Sequence, residues 1–255
     1  MSTTNVGRFV WYELMTTDPK AAIAFYTHVI GWKTEPFAGS TDYTMWVSGQ
    51  GAVGGVTPLP EAARKMGAGP HWMAHVGVAN VDETAAHARK LGGQLLVPPQ
   101  DVPNVGRFAI LADPQGATIS AFKEASGSMA AHDITKSGEF CWHELVTSNH
   151  DAAFKFYSDV FGWKRLSEMD MGPVGKYVIY GQGTTQYGGM FTIPKDQQRS
   201  PAWLYYVEVA DLDAAVARAK ERGGTVQHGP TPVPSGNRIV QLLDPQGVAF
   251  ALHGK

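Results

Sequence analysis

The sequence predicts an α+β protein of two tandem domains, each made of paired β-α-β-β-β modules. Two observations predict it: one motif set occurs twice in register, and each half alternates strand-like and helix-like segments twice. Gly7-Arg-Phe-Val-Trp-Tyr-Glu-Leu14 returns as Gly138-Glu-Phe-Cys-Trp-His-Glu-Leu145, an offset of 131 residues. Phe25-Tyr26 with Phe156-Tyr157, Gly31-Trp32 with Gly162-Trp163 and Pro70-x-Trp72 with Pro201-x-Trp203 keep that offset. So do Gly92-Gly93 with Gly223-Gly224 and Asp113-Pro-Gln-Gly116 with Asp244-Pro-Gln-Gly247. Gly54-Gly55 matches Gly188-Gly189, so the second copy carries three extra residues before that point. A register held over a half-chain is the mark of an internal repeat. The domains are read as 1–123 and 138–255, and 124–137, a mixture of Ser, Gly, Ala and charges, as the linker.

Within the first copy, Phe9 to Leu14 reads as a strand, alternating and rich in aromatics. Asp18 offers a capping carboxylate, and Pro19 suits the first helical position, where its missing N–H is no loss. Ile23, Tyr26 and Ile30 fall on one helical stripe, and Gly31 provides the left-handed stop. Strands are expected around Tyr43 to Val47 and Gly54 to Pro58. The pattern then restarts with a strand from Trp72 to Val78, and Asn80 with Glu83 has capping-box spacing into a helix from Glu83 to Leu91. Strands Arg107 to Leu111 and Ala117 to Phe122 flank Asp113-Pro-Gln-Gly116, whose Pro and Gly suit a type I turn. Helices covering one face of each sheet complete the class.

Composition narrows the function. At 44% hydrophobic and 17% charged residues, the chain can build real cores. A net charge of -2, with Lys and Arg scattered, argues against nucleic acid or an anionic membrane as partner. One cysteine, Cys141, excludes an internal disulfide. No signal-like or membrane-length apolar run occurs, so a cytoplasmic protein is expected. The expected partner is a small molecule, and the chain is expected as a monomer (a pseudo-dimer of repeats) or a homodimer.

The ordered set Asp18, Phe25-Tyr26, Gly31-Trp32 and Asp113-Pro114-x-Gly116, present twice, resembles the glyoxalase/bleomycin-resistance/extradiol-dioxygenase (vicinal oxygen chelate) superfamily. The Trp-x-Glu-Leu opening of each copy is similar to its tandem members often labelled hydroxylases or lyases. The resemblance implies that paired modules curl into a cup around a small ligand. It also implies a divalent metal held from the first, fifth and eighth strands. The matching positions here are Trp11, Met73 and Ser120, then Trp142, Leu204 and Ala251, none of them a ligand for a hard or borderline ion. No cofactor is therefore expected, with Glu13, His71 and His75 as a fallback metal set in the first copy only.

Strand alternation places Phe9, Trp11 and Glu13 on one face, and Phe140, Trp142 and Glu144 on its equivalent. Glu13, Glu144 and His75 are the candidate acid–base groups, against the alternative that they are satisfied structural residues. Phe9, Trp11, Met73, Phe140, Trp142 and Tyr206 are expected to line the cups. His143, Cys141 and Tyr12 fall on the opposite face, and Cys141 has no cationic sequence neighbour beyond His143 to make it reactive. Arg107 and Arg238, at equivalent strand starts, are either carboxylate anchors at the rim or surface ion pairs. The leading expectation is a glyoxalase-like lyase or isomerase acting without the usual metal triad. The alternatives are a non-catalytic drug or aromatic-metabolite binder, and an extradiol-type dioxygenase.

Overall fold

The structure, a computed structural model, describes residues 5–125, 132–172, 175–194 and 196–255. Part of the expected linker, 126–131, lies outside the described residues. The first half runs β1 (Phe9–Thr16), α1 (Pro19–Val29), β2 (Lys33–Pro36), β3 (Thr44–Ser48), β4 (Gly51–Pro58), α2 (Glu61–Lys65), β5 (His71–Gly77), α3 (Val81–Lys90), β6 (Gln94–Val102), β7 (Gly106–Ala112) and β8 (Thr118–Glu124). The second runs β9 (Phe140–Thr147), α4 (His150–Phe161), β10 (Lys164–Asp170), β11 (Lys176–Gln182), β12 (Thr185–Thr192), β13 (Ala202–Val209), α5 (Leu212–Glu221), β14 (Thr225–Pro232), β15 (Arg238–Leu243) and β16 (Ala249–Gly254). Two eight-stranded sheets result, ordered β2-β3-β4-β1-β5-β8-β7-β6 and β10-β11-β12-β9-β13-β16-β15-β14. The helix after each module's first strand is the crossover that lets its fourth strand return parallel, as in β1 with β4 and β13 with β16.

Capping follows the sequence closely. Asp18 accepts from the Ala21 N–H, and Asn80 from the N–H groups of Asp82 and Glu83. Gly31, φ +90°, follows α1 as the left-handed residue expected there. The edge strands β2 and β6 carry no alternating signal: β2 is exposed throughout, and β6 contains Pro98-Pro99, where its register with β7 shifts. Proline is tolerated there because an edge strand has donors to spare.

The compact units draw on both halves of the chain. One gathers the described residues of 1–11, 74–131 and 142–203, the other those of 12–73, 132–141 and 204–255. In the second of these, Trp72 Nε1 donates to Tyr26 Oη at 3.1 Å, and Tyr26 Oη donates to Asp244 Oδ2 at 3.1 Å. Asp244 Oδ1 takes the backbone N–H groups of Gln246 and Val248, so the turn aspartate is satisfied on both oxygens. The other unit repeats the arrangement: Trp203 donates to Tyr157 at 3.2 Å, and Tyr157 to Asp113 at 2.9 Å. The Phe-Tyr, Pro-x-Trp and Asp-Pro-Gln-Gly motifs therefore recur because they form one buried polar chain per unit. Around it pack Trp32, Trp46, Phe140 and Phe250 in one unit, and Phe9, Trp163 and Tyr180 in the other.

The repeated opening glycines have a geometric reason. Gly7 N donates to Gly77 O while Gly77 N donates to Arg8 O, and Gly138, Glu139 and Glu208 repeat the pattern. Each is a two-against-one β-bulge with a glycine at φ +81° or +89°. The carbonyls of Gly7 and Gly138 then accept Trp163 Nε1 at 2.6 Å and Trp32 Nε1 at 2.7 Å.

Candidate active site

In the unit containing residues 142–203, β9 and β12 run parallel with Glu144 opposite Gly189, and β11 crosses β12 with Ile179 opposite Gly189. The absent side chain matters: a Cβ on Gly189 would lie 2.0 Å from the Tyr177 ring. The phenol therefore lies over bare backbone, where its hydroxyl donates to Glu144 Oε2 at 3.0 Å. Trp142 Nε1 donates in turn to Tyr177 Oη at 2.8 Å. Phe191 backs the phenol with a stacked ring at 5.9 Å. Glu144 is buried, 7% exposed, so its carboxylate is held by protein groups rather than by bulk water.

The other unit carries the first-copy counterpart. Glu13 stands opposite Gly55, and a Cβ on Gly55 would lie 2.3 Å from the Tyr43 ring. The sequence offered Glu13, Glu144, Trp11 and Trp142 as candidates and did not point to Tyr43 and Tyr177. Those tyrosines are related by the offset of 134 that also relates Gly54-Gly55 to Gly188-Gly189, and that shared shift was the available signal.

Other expected residues fall elsewhere. Phe9 and Phe140, placed at the cups by alternation, belong to the aromatic cores. Phe9 stacks on His143 at 3.7 Å, and Phe140 on Tyr12 at 3.7 Å. Each follows directly on the bulge described above. His143, on the face opposite Trp142, bonds Tyr187 O through Nδ1, and burial pushes its pKa down to about 3, so it stays neutral. His75 is buried edge-on to Phe108 and Phe122. Nδ1 of His71 bonds Gly69 O. Met73 is buried, and Tyr206 is buried with its hydroxyl accepting from Gln241 Nε2 at 2.8 Å. Arg107 is clamped bidentately by Asp82 and also by Asp101, and Arg238 bidentately by Asp213. Of the two readings of these arginines, the ion pair is the one formed.

Indole, thioether, hydroxyl and aliphatic groups occupy the six family metal positions, so the family's divalent ion does not fit them. Among the described residues one set of three His, Cys, Asp or Glu ligand atoms gathers within 4.8 Å: Cys141, Glu208 and His253. It includes none of Glu13, His71 and His75. Burial, and then the neighbouring Glu208 carboxylate, push the Cys141 thiol well up.

Comparison with known proteins gives a consistent picture. The family model of the Glyoxalase/Bleomycin resistance protein/Dioxygenase superfamily matches residues 8–121 and 140–252. CFP32 of Mycobacterium tuberculosis, provisionally named a glyoxylase, is 32% identical over 246 residues, covering 95% of this chain and 92% of its own. The anthracycline biosynthesis protein DnrV of Streptomyces peucetius is 30% identical over 262 residues, covering 96% and 92%. Among solved structures, the Mn(II)-bound glyoxalase from Novosphingobium aromaticivorans superposes with a TM-score of 0.69 at 15% identity, covering 98% of this chain and 82% of that one. Homoprotocatechuate 2,3-dioxygenase from Brevibacterium fuscum, in complex with 3,4-dihydroxyphenylacetate, gives 0.70 at 14% identity, covering 98% and 81%. At these identities the two structures speak to fold alone. No helix among the described residues is long and apolar enough to cross a membrane.

Proposed function

Because the chain belongs to the glyoxalase/bleomycin-resistance/dioxygenase superfamily, we propose that it is a glyoxalase-like lyase or isomerase of a small organic molecule, with Glu144 as the proton-transfer group. The observation that carries this reading is the chain from Trp142 Nε1 through Tyr177 Oη to Glu144 Oε2. A buried carboxylate fixed by a phenol, itself fixed by an indole, supports a general base, a group that must be held in place to reach the proton it takes. Glu144 takes a proton from a carbon beside a carbonyl, and the C–H electron pair forms a C=C bond while the carbonyl oxygen becomes an enolate. Where the deprotonated carbon bears a hydroxyl, its O–H proton passes to the enolate oxygen and Glu144 returns its own proton to the former carbonyl carbon, which isomerises the molecule; departure of a β-substituent with its bonding pair instead makes the step a lyase reaction. Glu13 is the equivalent group in the first copy. The side chains at the family's metal positions offer no ligands, so proton transfer falls to the carboxylates. The relative named for anthracycline biosynthesis supports a fused-ring aromatic carbonyl compound as the substrate class.

The test is hydrogen–deuterium exchange at the α-carbon of aromatic ketones and of 1,2-dicarbonyl compounds, followed by NMR. Glu13→Gln with Glu144→Gln should lower exchange and turnover by roughly 10²–10⁴. Tight ligand binding with no exchange in the wild-type protein would instead favour a non-catalytic binder. Turnover unchanged by both substitutions would overturn the assignment.

A further inference from the structure

We propose that Cys141, Glu208 and His253 form a site for a single zinc-class divalent ion, apart from the positions used by the superfamily. The three residues lie on β9, β13 and β16, near one end of each strand, and their ligand atoms all fall within 4.8 Å of one another. A tetrahedral ion with bonds of about 2.0–2.3 Å spaces its ligands by roughly 3.3–3.6 Å, so small side-chain adjustments accommodate it. His253 Nδ1 hydrogen-bonds Glu208 Oε2, a contact that an ion would replace while both groups stay beside Cys141. Cys141 Sγ reaches Tyr206 O at 3.5 Å. The His253 and Glu208 side chains are 20% and 16% exposed, which leaves a route for an ion to enter.

The ligand types select the ion. A thiolate, an imidazole and a carboxylate suit a borderline metal such as Zn²⁺, whereas Mg²⁺ and Ca²⁺ prefer oxygen throughout. The ion would also supply the positive charge that a thiolate beside a carboxylate needs. Three protein ligands leave the fourth position of a tetrahedron open, the pattern of zinc sites that accept water or substrate. Beyond the first ring, the Asn237 amide lies 3.5 Å from His253 Nε2, and with Nδ1 on the ion a turn of that amide would present its Oδ1 to the Nε2 proton.

The first copy provides an internal control. At the offset of 131 the equivalents are Val10, Gly77 and Phe122, none with a ligand atom. All three ligands are thus present together in one copy and absent together from the other. Common ancestry of the modules does not by itself produce that. The superfamily positions in the same copy are Trp142, Leu204 and Ala251, so the site is not the inherited one.

The experiment is titration of the intact, metal-stripped chain with Zn²⁺ by calorimetry and native mass spectrometry, with Co²⁺ as spectroscopic probe. One ion per chain and a thiolate-to-cobalt charge-transfer band are expected. Cys141→Ser should abolish the band, and Cys141→Ser and His253→Gln should each weaken zinc binding at least a hundredfold. Asn237→Ala should weaken it by roughly tenfold, as outer partners do. Circular dichroism of each variant separates lost binding from lost fold. Two ions per chain, no binding in a folded wild-type protein, or affinity unchanged in both ligand variants would overturn the site. None of these outcomes bears on the Glu144 assignment, which is read from proton exchange.

Discussion

Tyr177 shows how much one hydroxyl can do. It accepts from Trp142 and donates to Glu144, so Tyr177→Phe removes both bonds while the ring still covers Gly189. On the proposed role of Glu144, kcat should fall about tenfold or more with KM little changed, since the lost contact would orient the proton-transfer group. A change confined to KM would reassign Tyr177 to substrate binding. Tyr26 is the structural analogue: Tyr26→Phe strands the Trp72 indole N–H and one oxygen of Asp244, and should cost about 1–3 kcal/mol in denaturant unfolding. Burial raises the Asp244 carboxyl above its usual 3.8, so the folded chain keeps this proton to higher pH than the unfolded chain does. Its contribution to stability is therefore complete below 3.8 and declines as pH climbs through the raised value. Wild type should lose stability relative to Asp244→Asn over that interval, measured as urea midpoints across pH 3 to 7; a flat difference would refute the sign. Strand alternation made Glu13 and Glu144 candidates, but it gave no sign of Tyr177 beside Glu144 or of the neighbours of Cys141. Their contacts join strands distant in sequence, and no local pattern encodes which strands become neighbours.

Elements were legible where local chemistry decides them. Asp18 and Asn80 begin helices because their side chains satisfy otherwise unpaired N–H groups, and Asn80→Ala should cost about 1 kcal/mol, read from thermal unfolding. The edge strands β2, β6, β10 and β14 each pair with a single neighbouring strand. Lys33–Pro36 is exposed along its whole length, so it has no apolar face to announce it. The bulges at Gly7 and Gly138 were visible only as repeated glycines. A Cβ at Gly7 would lie 2.9 Å from Phe161 O, and the positive φ adds backbone strain. Gly7→Ala should therefore destabilise more than an exposed Gly→Ala change, with Trp163 fluorescence reporting the loosened indole.

For the whole molecule, the repeat established that the halves are alike, but likeness does not say which modules pack together. Each compact unit takes its Trp and Tyr from one half and its Asp from the other, as in Trp72, Tyr26 and Asp244. Separately produced fragments 1–125 and 132–255 should accordingly fail to yield stable monomers, yet assemble when expressed together, as checked by size exclusion with light scattering. A monomeric, cooperatively unfolding fragment would contradict this. The same bond has a consequence during synthesis. Tyr26 leaves the ribosome 218 residues ahead of Asp244, which at about 5–20 residues per second is a wait of roughly 10–45 s. Throughout that interval the aromatic side chains around Tyr26 and Trp72 await Phe250 as well, and the nascent chain carries them without their final cover.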